Sequence, residues 1–181
     1  MAIAYKLANQ NNPVAISALF DETFSDSESA DEGKLIGRLA YNLIETTPED
    51  DIVVFTGFEE DRLVGCIIFT RLRFEGDARQ VYLLSPVAIS SDQQRRGIGT
   101  ELIRFGLQTL GNFGADIAVT YGDPDYYERV GFKPIDAAII PAPLALEQPH
   151  GWLAQSLTDE EIYPFQGPAR CADALNDPAY W

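Results

Sequence analysis

The stretch that decides the fold is VYLLSPVAISSDQQRRGIGTELIRFGLQTL, residues Val81–Leu110. Its first part, Val81–Ile89, is an apolar run of strand length and predicts a buried β-strand. A polar loop, Ser90–Arg96, follows. From about Gly97 to Leu110, apolar residues recur at helical spacing, which predicts an amphipathic helix closed by Gly111. The stretch therefore predicts a strand, a loop and a helix in direct succession.

The loop and the helix start carry residues that suit an anion. Their sequence is Gln94-Arg95-Arg96-Gly97-Ile98-Gly99-Thr100. The first N–H groups of a helix lack intrahelical partners and lie at the positive end of its dipole, so they can hold a phosphate or a pyrophosphate. Leu102 stands where a dinucleotide fingerprint needs a third glycine, and no Walker Lys-Ser/Thr pair occurs. A structural turn without a ligand remains the alternative.

Apolar periodicity predicts the remaining elements. In chain order they are a strand at Ile3–Leu7, helices at Pro13–Phe24 and Lys34–Thr46 separated by an acidic loop at Ser25–Glu32, hairpin strands at Ile52–Phe58 and Leu63–Phe74, a strand at Ala115–Thr120, a short helix at Tyr126–Val130, and strands at Phe132–Ile135 and Trp152–Leu157. Beyond Pro134 the composition shifts towards Pro and Ala, and the pattern predicts little regular structure apart from the strand at Trp152–Leu157. The tail Tyr163–Trp181 carries several aromatic residues, Pro168 and Pro178, and is expected to pack back onto the body as irregular chain. Lining of a pocket by one or two of its aromatics is the alternative. These elements predict an α/β (α+β) fold.

Composition narrows the classes of function. The formal net charge of -15 disfavours a nucleic-acid partner, because phosphate backbones select basic surfaces. An acidic surface favours solubility, and it would also attract a cationic amine. Two separated cysteines and a single histidine disfavour a metal site and a histidine-based triad. Neither a signal peptide nor a membrane span is readable, so we expect a cytoplasmic protein with no membrane partner.

The pattern Gln94-x-x-Gly97-x-Gly99 after a strand resembles the acetyl-CoA motif of the GCN5-related N-acetyltransferase (GNAT) family. The strand Leu83–Ile89 and the downstream stretch Gly122–Phe132, which ends in Tyr-x-x-x-Gly-Phe, resemble the same family. The order of elements from Ile3 to Ile135 also agrees, so the resemblance covers about three quarters of the chain. It implies a central mixed, mostly antiparallel sheet of about six or seven strands flanked by helices. It further implies one domain, 1–181, in which 136–181 is a C-terminal extension atypical of the family.

The resemblance also implies acetyl-CoA as cosubstrate and assigns its contacts. The backbone of Val87, Ala88 and Ile89 would pair with the pantetheine arm as an added strand, and one N–H there would face the acetyl carbonyl. The pyrophosphate would lie against the loop and the helix start, at Gln94, Arg95, Arg96, Gly97, Ile98, Gly99 and Thr100. Tyr127, four residues before Gly131, stands where the family carries the tyrosine that protonates the departing thiolate. A packing role for Tyr127 is the alternative.

A general base is harder to assign, because the strand Val81–Ile89 contains no carboxylate. We expect a base acting through water, with Glu28, Asp123 and Asp125 as candidates. Asp123 also suits a helix cap behind Pro124. His150 would lie either over the acceptor side or in a loop without a role.

The predicted function is acetyl transfer from acetyl-CoA to a primary amine by direct attack in a ternary complex. The acceptor would be a small-molecule or peptide amine. The sequence leaves two other classes open: a non-catalytic acyl-CoA-binding sensor, and a structural interaction protein that retains the fold. An exposed strand edge or an apolar helix face would support a homodimer.

Overall fold

The computed structural model describes residues 2–8 and 12–181. Within these residues a mixed sheet of eight strands is flanked by four α-helices. The strands are β1 (Ile3–Ala8), β2 (Ile52–Glu59), β3 (Arg62–Phe74), β4 (Val81–Ile89), β5 (Ile117–Tyr121), β6 (Lys133–Pro134), β7 (Trp152–Ser156) and β8 (Ala169–Arg170). The helices are α1 (Pro13–Ser27), α2 (Ala30–Thr46), α3 (Ile98–Asn112) and α4 (Pro124–Tyr127).

The strands follow the order β1-β2-β3-β4-β5-β7-β6, and β8 pairs with β3. β4 and β5 run parallel, whereas β1 with β2, β5 with β7, β6 with β7, and β3 with β8 run antiparallel. The predicted α/β (α+β) class and the mixed sheet are confirmed. The sheet exceeds the predicted strand number because β8 has only two residues, which is too short for a periodic pattern.

The chain divides into two compact units. The first contains the residues up to Phe69 together with Pro86–Gly106, and the second contains Thr70–Ser85 together with Leu107–Trp181. No helix of the described residues is long and apolar enough to cross a membrane.

In the first unit, α1 and α2 pack closely because glycines face α1. A Cβ at Gly33 would lie 2.5 Å from the Asp21 carbonyl oxygen, and one at Gly37 would lie 3.0 Å from the Ser17 carbonyl oxygen. The predicted acidic loop at Ser25–Glu32 is wrong, because only Glu28 and Ser29 separate the helices. Ser29 caps α2 by accepting a hydrogen bond of 3.1 Å from the Glu32 N–H.

The same unit has an aromatic core between the sheet and α3. Phe55 of β2 meets Phe69 of β3 and Phe105 of α3 edge to face, with ring centres 5.9 and 5.7 Å apart. Tyr5 of β1 donates a hydrogen bond of 2.5 Å to Glu101 Oε2 on α3. These contacts hold the first turns of α3 in place.

In the second unit, α3 ends later than predicted. The helix runs to Asn112, and Gly114, with φ of 93°, makes the left-handed turn that stops it. Gly111 was therefore the wrong terminator. Short 3-10 turns replace part of the predicted structure: α4 ends at Tyr127 and Glu128–Val130 continue as 3-10, while the strand after them is only Lys133–Pro134.

The tail packs within the second unit through aromatic contacts. Phe165 lies against Phe74 of β3 with ring centres 4.1 Å apart. Trp181 lies 6.0 Å from the Tyr121 ring and 5.9 Å from the Trp152 ring, and its indole N–H donates to the Leu175 carbonyl at 2.8 Å. Most of this tail lacks regular secondary structure, as predicted.

Candidate functional site

Strand β4 continues beyond its pairing with β5. The parallel register runs from Val81 opposite Ile117 to Leu84 opposite Thr120, and it ends there. β4 itself extends to Ile89. Its last five residues, Ser85–Ile89, therefore lie past the paired region, and among them Pro86 has no N–H to donate.

One edge of this strand end faces β3 and the other faces away from it. The Ser90 N–H donates to the Val64 carbonyl of β3 at 2.8 Å. Because the N–H and C=O of a trans peptide point in opposite directions, the Ile89 carbonyl faces away from β3. Strand alternation then turns the N–H and C=O groups of both Ile89 and Val87 to the same outer edge. Those groups can pair with an extended ligand.

The loop after β4 turns through two residues with left-handed backbone, Arg95 with φ of 63° and Gly97 with φ of 80°. A Cβ at Gly97 would meet no atom within 4 Å, so the backbone there faces open space. The Gln94 side-chain amide donates to the Ile89 carbonyl at 3.0 Å and so fixes the loop to the end of β4. This bond occupies an acceptor on the outer edge.

The start of α3 presents backbone donors. The Glu101 N–H donates to the Gly97 carbonyl at 3.0 Å, as the first helical bond. The N–H groups of Ile98, Gly99 and Thr100 precede that bond and have no helical acceptor. The Thr100 hydroxyl also donates to the Gly97 carbonyl, at 2.9 Å. Oriented N–H groups at the positive end of a 15-residue helix suit a phosphate.

Charged side chains brace this loop. Arg62 donates to both carboxylate oxygens of Asp92 at 2.7 Å and to the Ser90 hydroxyl at 3.0 Å. The hydrogen bonds from Arg62 lower the pKa of the Asp92 carboxyl well below its ordinary value. Sequence reasoning missed this pair, since its members lie 30 positions apart; the charged hairpin turn before β3 was the available signal.

The two arginines predicted to bind phosphate differ in their surroundings. Arg96 contacts the Gln93 side chain and lies 3.7 Å from Glu59. Arg95 is exposed and makes no ion pair with the described residues. Arg95 is therefore the more available cation of the two.

Tyr127 belongs to the second unit, at the end of α4. Its ring meets Tyr126 and Phe132 edge to face, with centres 5.0 and 5.8 Å away. A Cβ at Gly122 would lie 2.8 Å from the Tyr127 ring, so the glycine makes room for that ring. Thr120, a hydrogen-bonding neighbour of Tyr127, donates its own hydroxyl proton to the Leu84 carbonyl of β4 at 2.8 Å. Sequence reasoning missed Thr120 and Gly122 as the supports of this tyrosine.

The environment of Tyr127 keeps its phenol protonated. Burial raises the pKa of the Tyr127 hydroxyl above its ordinary value of 10.0, and nearby Tyr126 and Asp123 raise it further. Because the ordinary pKa is already far above neutral, the neutral phenol persists at physiological pH. Tyr127 can therefore donate a proton.

The three carboxylates considered as a base lie in different places. Glu28 is exposed at the end of α1 in the first unit. Asp123 caps α4, accepting a hydrogen bond of 3.0 Å from the Asp125 N–H, as predicted. Asp125 is exposed. Of the three, only Asp123 interacts with Tyr127.

A cavity of about 460 Å³ adjoins Asp123 in the second unit. Asp123, Glu147 and the exposed His150 line it, together with Tyr121, Tyr180 and Trp181. Two carboxylates beside aromatic faces suit a cationic ligand. For the tail aromatics the sequence predicted packing, with pocket lining by one or two of them as the alternative, and Tyr180 and Trp181 do line this cavity.

The described residues contain no cluster of three or more His, Cys, Asp or Glu side chains that could hold a metal ion. Cys66 is fully buried in β3, and burial raises the pKa of its thiol. Cys66 is therefore a core residue.

Residues 14–132 match the sequence profile of the Acetyltransferase (GNAT) family. The chain belongs to this family. It is 36% identical over 119 residues to the uncharacterized N-acetyltransferase YjhQ of Escherichia coli K12, a match that covers 63% of this chain and 65% of that protein. The chain thus spans slightly less than two thirds of the length of that relative.

Solved structures agree on the fold. The crystal structure of the GNAT family N-acetyltransferase YhbS from Escherichia coli in complex with CoA has a TM-score of 0.81 and 20% identity, covering 97% of this chain and 93% of that one. A GNAT family acetyltransferase from Brucella melitensis in complex with acetyl-CoA has a TM-score of 0.74 and 22% identity, covering 96% and 98%. The architecture is therefore the GNAT fold.

Proposed function

We propose that the chain is an acetyl-CoA-dependent N-acetyltransferase that transfers an acetyl group to a primary amine by direct attack in a ternary complex. The observation that carries this proposal is the outer edge of β4 leading directly into the donor-rich start of α3. Family membership and the CoA complexes of two structural neighbours support it. Acetyl-CoA, when bound, supplies the thioester that the amine attacks.

Each part of the cofactor has a matching group on the chain. The outer-edge N–H and C=O groups of Val87 and the N–H of Ile89, on either side of Ala88, suit the amides of the pantetheine arm, while the Ile89 carbonyl is engaged by Gln94. The N–H groups of Ile98, Gly99 and Thr100, reached past Gly97, suit the pyrophosphate. Arg95 and Arg96 add positive charge there, and Gln94 keeps the loop against β4.

Tyr127 is assigned the proton donor to the departing thiolate. Its phenol is held neutral by burial, and its ring is held in place by Tyr126, Phe132 and the gap at Gly122. A thiolate is destabilised in a site that excludes water. Protonation by a neighbouring O–H therefore accelerates its departure.

The cavity beside Asp123 is assigned to the amine acceptor. Asp123 and Glu147 attract the ammonium form, and Asp123 can accept the amine proton through a water molecule. We expect Glu147→Gln to raise KM for a cationic amine about three- to tenfold, while kcat and the acetyl-CoA Kd stay unchanged. Steady-state kinetics at low ionic strength measures this effect, and an unchanged KM would remove the cavity from the acceptor site.

Two measurements, made one after the other, test the proposed function. Calorimetric titration with acetyl-CoA should show binding at submillimolar ligand; no binding would reject the proposal. Release of free thiol is then followed with a panel of primary amines. Binding without release for any amine would favour a non-catalytic acyl-CoA sensor, the alternative favoured by the lack of a carboxylate in β4.

The proposal also concerns the domain organisation, the location and the oligomeric state of the chain. We propose a single domain over 1–181, in which the extension 136–181 closes the acceptor side through the tail contacts of Trp181. A cytoplasmic location is supported by the two isolated, unpaired cysteines. A homodimer is also part of the proposal, and it would be measured by light scattering.

A further inference from the structure

The loop between β4 and α3 contains one strained residue that is not glycine. Arg95 has φ of 63°, a left-handed backbone that is unfavourable for a residue with a Cβ. Such a conformation persists where contacts on both sides hold the chain in place. On the N-terminal side, the Gln94 side-chain amide donates to the Ile89 carbonyl at 3.0 Å. On the C-terminal side, the contacts are made by Arg96.

A short network of side chains holds Arg96. Its Nη1 donates to the side-chain oxygen of Gln93, and the Gln93 Nε2 donates to Glu59 Oε2 at 3.1 Å. The same Nη1 lies 3.7 Å from Glu59 Oε1. Gln93 is only 7% exposed, so its amide is shielded from water, and both of its polar atoms have a partner. We call these three residues the Glu59 network.

The Glu59 network connects the loop to the hairpin of β2 and β3. Glu59 is the last residue of β2. Arg62, the first residue of β3, holds the same loop through Asp92. Because Arg96 directly precedes Gly97, a fixed Arg96 side chain also restricts the backbone that leads into α3.

A carboxylate close to an anion site is electrostatically unfavourable. Glu59 has the same sign of charge as a phosphate, so it would repel a pyrophosphate at the start of α3. Its side chain is only 15% exposed, whereas that of Arg96 is 46% exposed. The contacts of Arg96 with Gln93 and Glu59 both fall on Nη1. The guanidinium is therefore held at one nitrogen while the exposed part of the side chain can face a ligand.

We propose that Glu59 and Gln93 are positioning residues for the cofactor loop. They fix the Arg96 guanidinium and, together with Gln94, hold Arg95 in its left-handed conformation. The N–H groups at the start of α3 are thereby aligned before the cofactor arrives, which lowers the cost of ordering the loop on binding. This inference rests on the proposed function, because the ligand it concerns is acetyl-CoA.

The first test removes the middle of the Glu59 network without a change of charge. Gln93→Leu keeps a side chain of similar size and loses both hydrogen bonds. We expect the acetyl-CoA Kd, measured by calorimetry, to rise about tenfold, since hydrogen bonds to charged groups are lost. Because Gln93 acts through Arg96, the same substitution in an Arg96→Gln background should change the Kd by less than about twofold. Equal effects in the two backgrounds would contradict the positioning role.

A matched pair of substitutions separates position from charge. Glu59→Ala and Glu60→Ala remove the same atoms and the same negative charge from adjacent residues, and Glu60 is exposed. By charge alone, both substitutions would tighten the binding of an anion. We expect Glu59→Ala instead to raise the acetyl-CoA Kd about threefold or more, since Gln93 loses its charged partner. Glu60→Ala should leave the Kd unchanged or lower it. A lowered Kd in Glu59→Ala would overturn the proposal.

A measurement on the cofactor-free protein distinguishes the failure of this inference from the failure of the proposed function. The backbone ¹³C chemical shifts of Arg95 report its left-handed conformation. Gln93→Leu should move them away from the left-handed values, and Glu60→Ala should leave them unchanged. Wild-type shifts in Gln93→Leu would overturn the inference. Failure of the wild type to bind acetyl-CoA would reject the proposed function, and the shifts would still test the Glu59 network.

Urea unfolding checks that each variant is folded. Should Gln93→Leu not fold, Glu59→Ala takes its place in both the Arg96→Gln background and the chemical-shift measurement, with Glu60→Ala as its control. The same outcomes then support or overturn the positioning role.

Discussion

The proposed catalytic step depends on one hydroxyl group, that of Tyr127. Tyr127→Phe removes that hydroxyl and keeps the ring that packs on Phe132 and Tyr126. We expect turnover to fall roughly 10- to 1000-fold, because the thiolate loses its proton donor. The Kd for acetyl-CoA should change little. Initial rates of thiol release and calorimetry measure the two quantities separately.

Tyr126→Phe is the matched control for this substitution. It removes the same atom from the adjacent ring, and Tyr126 has no assigned proton-transfer role. Turnover should stay near wild type. Equal losses in the two variants, or unchanged turnover in Tyr127→Phe, would contradict the acid assignment.

The thiol of Cys66 has to be accounted for in assays that measure the release of free thiol. Its thiol is fully buried, and burial raises its pKa, so the reactive thiolate is scarce at neutral pH. In Cys171→Ser, native protein should show no reaction with a thiol reagent at pH 7.5, whereas urea should expose one thiol per chain. Absorbance titration measures both states. Rapid labelling of the native variant would show that the β3 core opens.

At the residue scale, the sequence motifs named candidate ligand contacts and missed the side chains that hold them in place. The resemblance pointed to Tyr127 and to Gln94, Gly97 and Gly99, because those residue types recur at fixed spacing. It did not point to Thr120, Gly122 or the Arg62–Asp92 pair, because these act through contacts between distant segments. A motif records the groups that meet a ligand, and the side chains that hold those groups in place follow only from tertiary packing.

At the element scale, α3 has a left-handed glycine at each end. Gly97 has φ of 80° and Gly114 has φ of 93°, and a Cβ at either position would meet nothing within 4 Å. Alanine therefore introduces backbone strain of about 1–2 kcal/mol at both ends without a steric clash. Gly97→Ala should raise the acetyl-CoA Kd about tenfold as the N–H groups lose alignment. Gly114→Ala should lower the free energy of unfolding by the same strain of about 1–2 kcal/mol and leave the acetyl-CoA Kd unchanged.

Calorimetry and urea unfolding of the two variants distinguish a binding role from a helix-stop role. Wild-type affinity in Gly97→Ala would remove the helix start from the cofactor site. Weakened binding in Gly114→Ala to the same extent would show that the effect is general helix destabilisation.

The strands with a clear apolar pattern were predicted to within two residues at each end, whereas the facing ends of α1 and α2 and the whole of β8 were missed. β4 was predicted as Val81–Ile89 and is found there, because every residue of it is apolar or small. The loop predicted at Ser25–Glu32 was wrong because its charged residues are typical of a loop. In the structure Ser29 caps α2, and Gly33 allows the close contact of α2 with α1. β8 pairs two residues across a long separation, which no local pattern records.

On the scale of the whole molecule, the pair Asp77–Arg79 links the tail to the turn after β3, since Arg79 also donates to the Tyr163 carbonyl at 2.7 Å. The pair predicts a dependence of stability on pH. The hydrogen bonds from Arg79 lower the pKa of the Asp77 carboxyl in the folded state. Its contribution to stability is therefore present above the unfolded pKa of about 3.9 and is lost as the pH falls through the folded value.

We expect Asp77→Asn to lower the free energy of unfolding by on the order of 1 kcal/mol at pH 7, because the pair is largely shielded from water. The difference from the wild type should shrink as the pH falls below about 4. Urea unfolding at several pH values measures it. The control Asp159→Asn changes an exposed tail carboxylate and should match the wild type throughout. A deficit in Asp77→Asn that persists unchanged at the lowest pH would contradict the ionic origin.

The tail contacts also determine what happens when the backbone is cut. No Lys or Arg lies between Lys133 and Arg170, and Pro134 follows the lysine. Trypsin therefore finds no cleavage site in the loop between β6 and β7. A single specific protease site introduced beside the exposed Glu147 lets the chain be cut once in this loop. Because β7 pairs with β5 and β6, and Phe165 and Trp181 pack on the body, the two pieces should stay together after the cut. The nicked protein would elute as one species on gel filtration and separate into two bands only in denaturant.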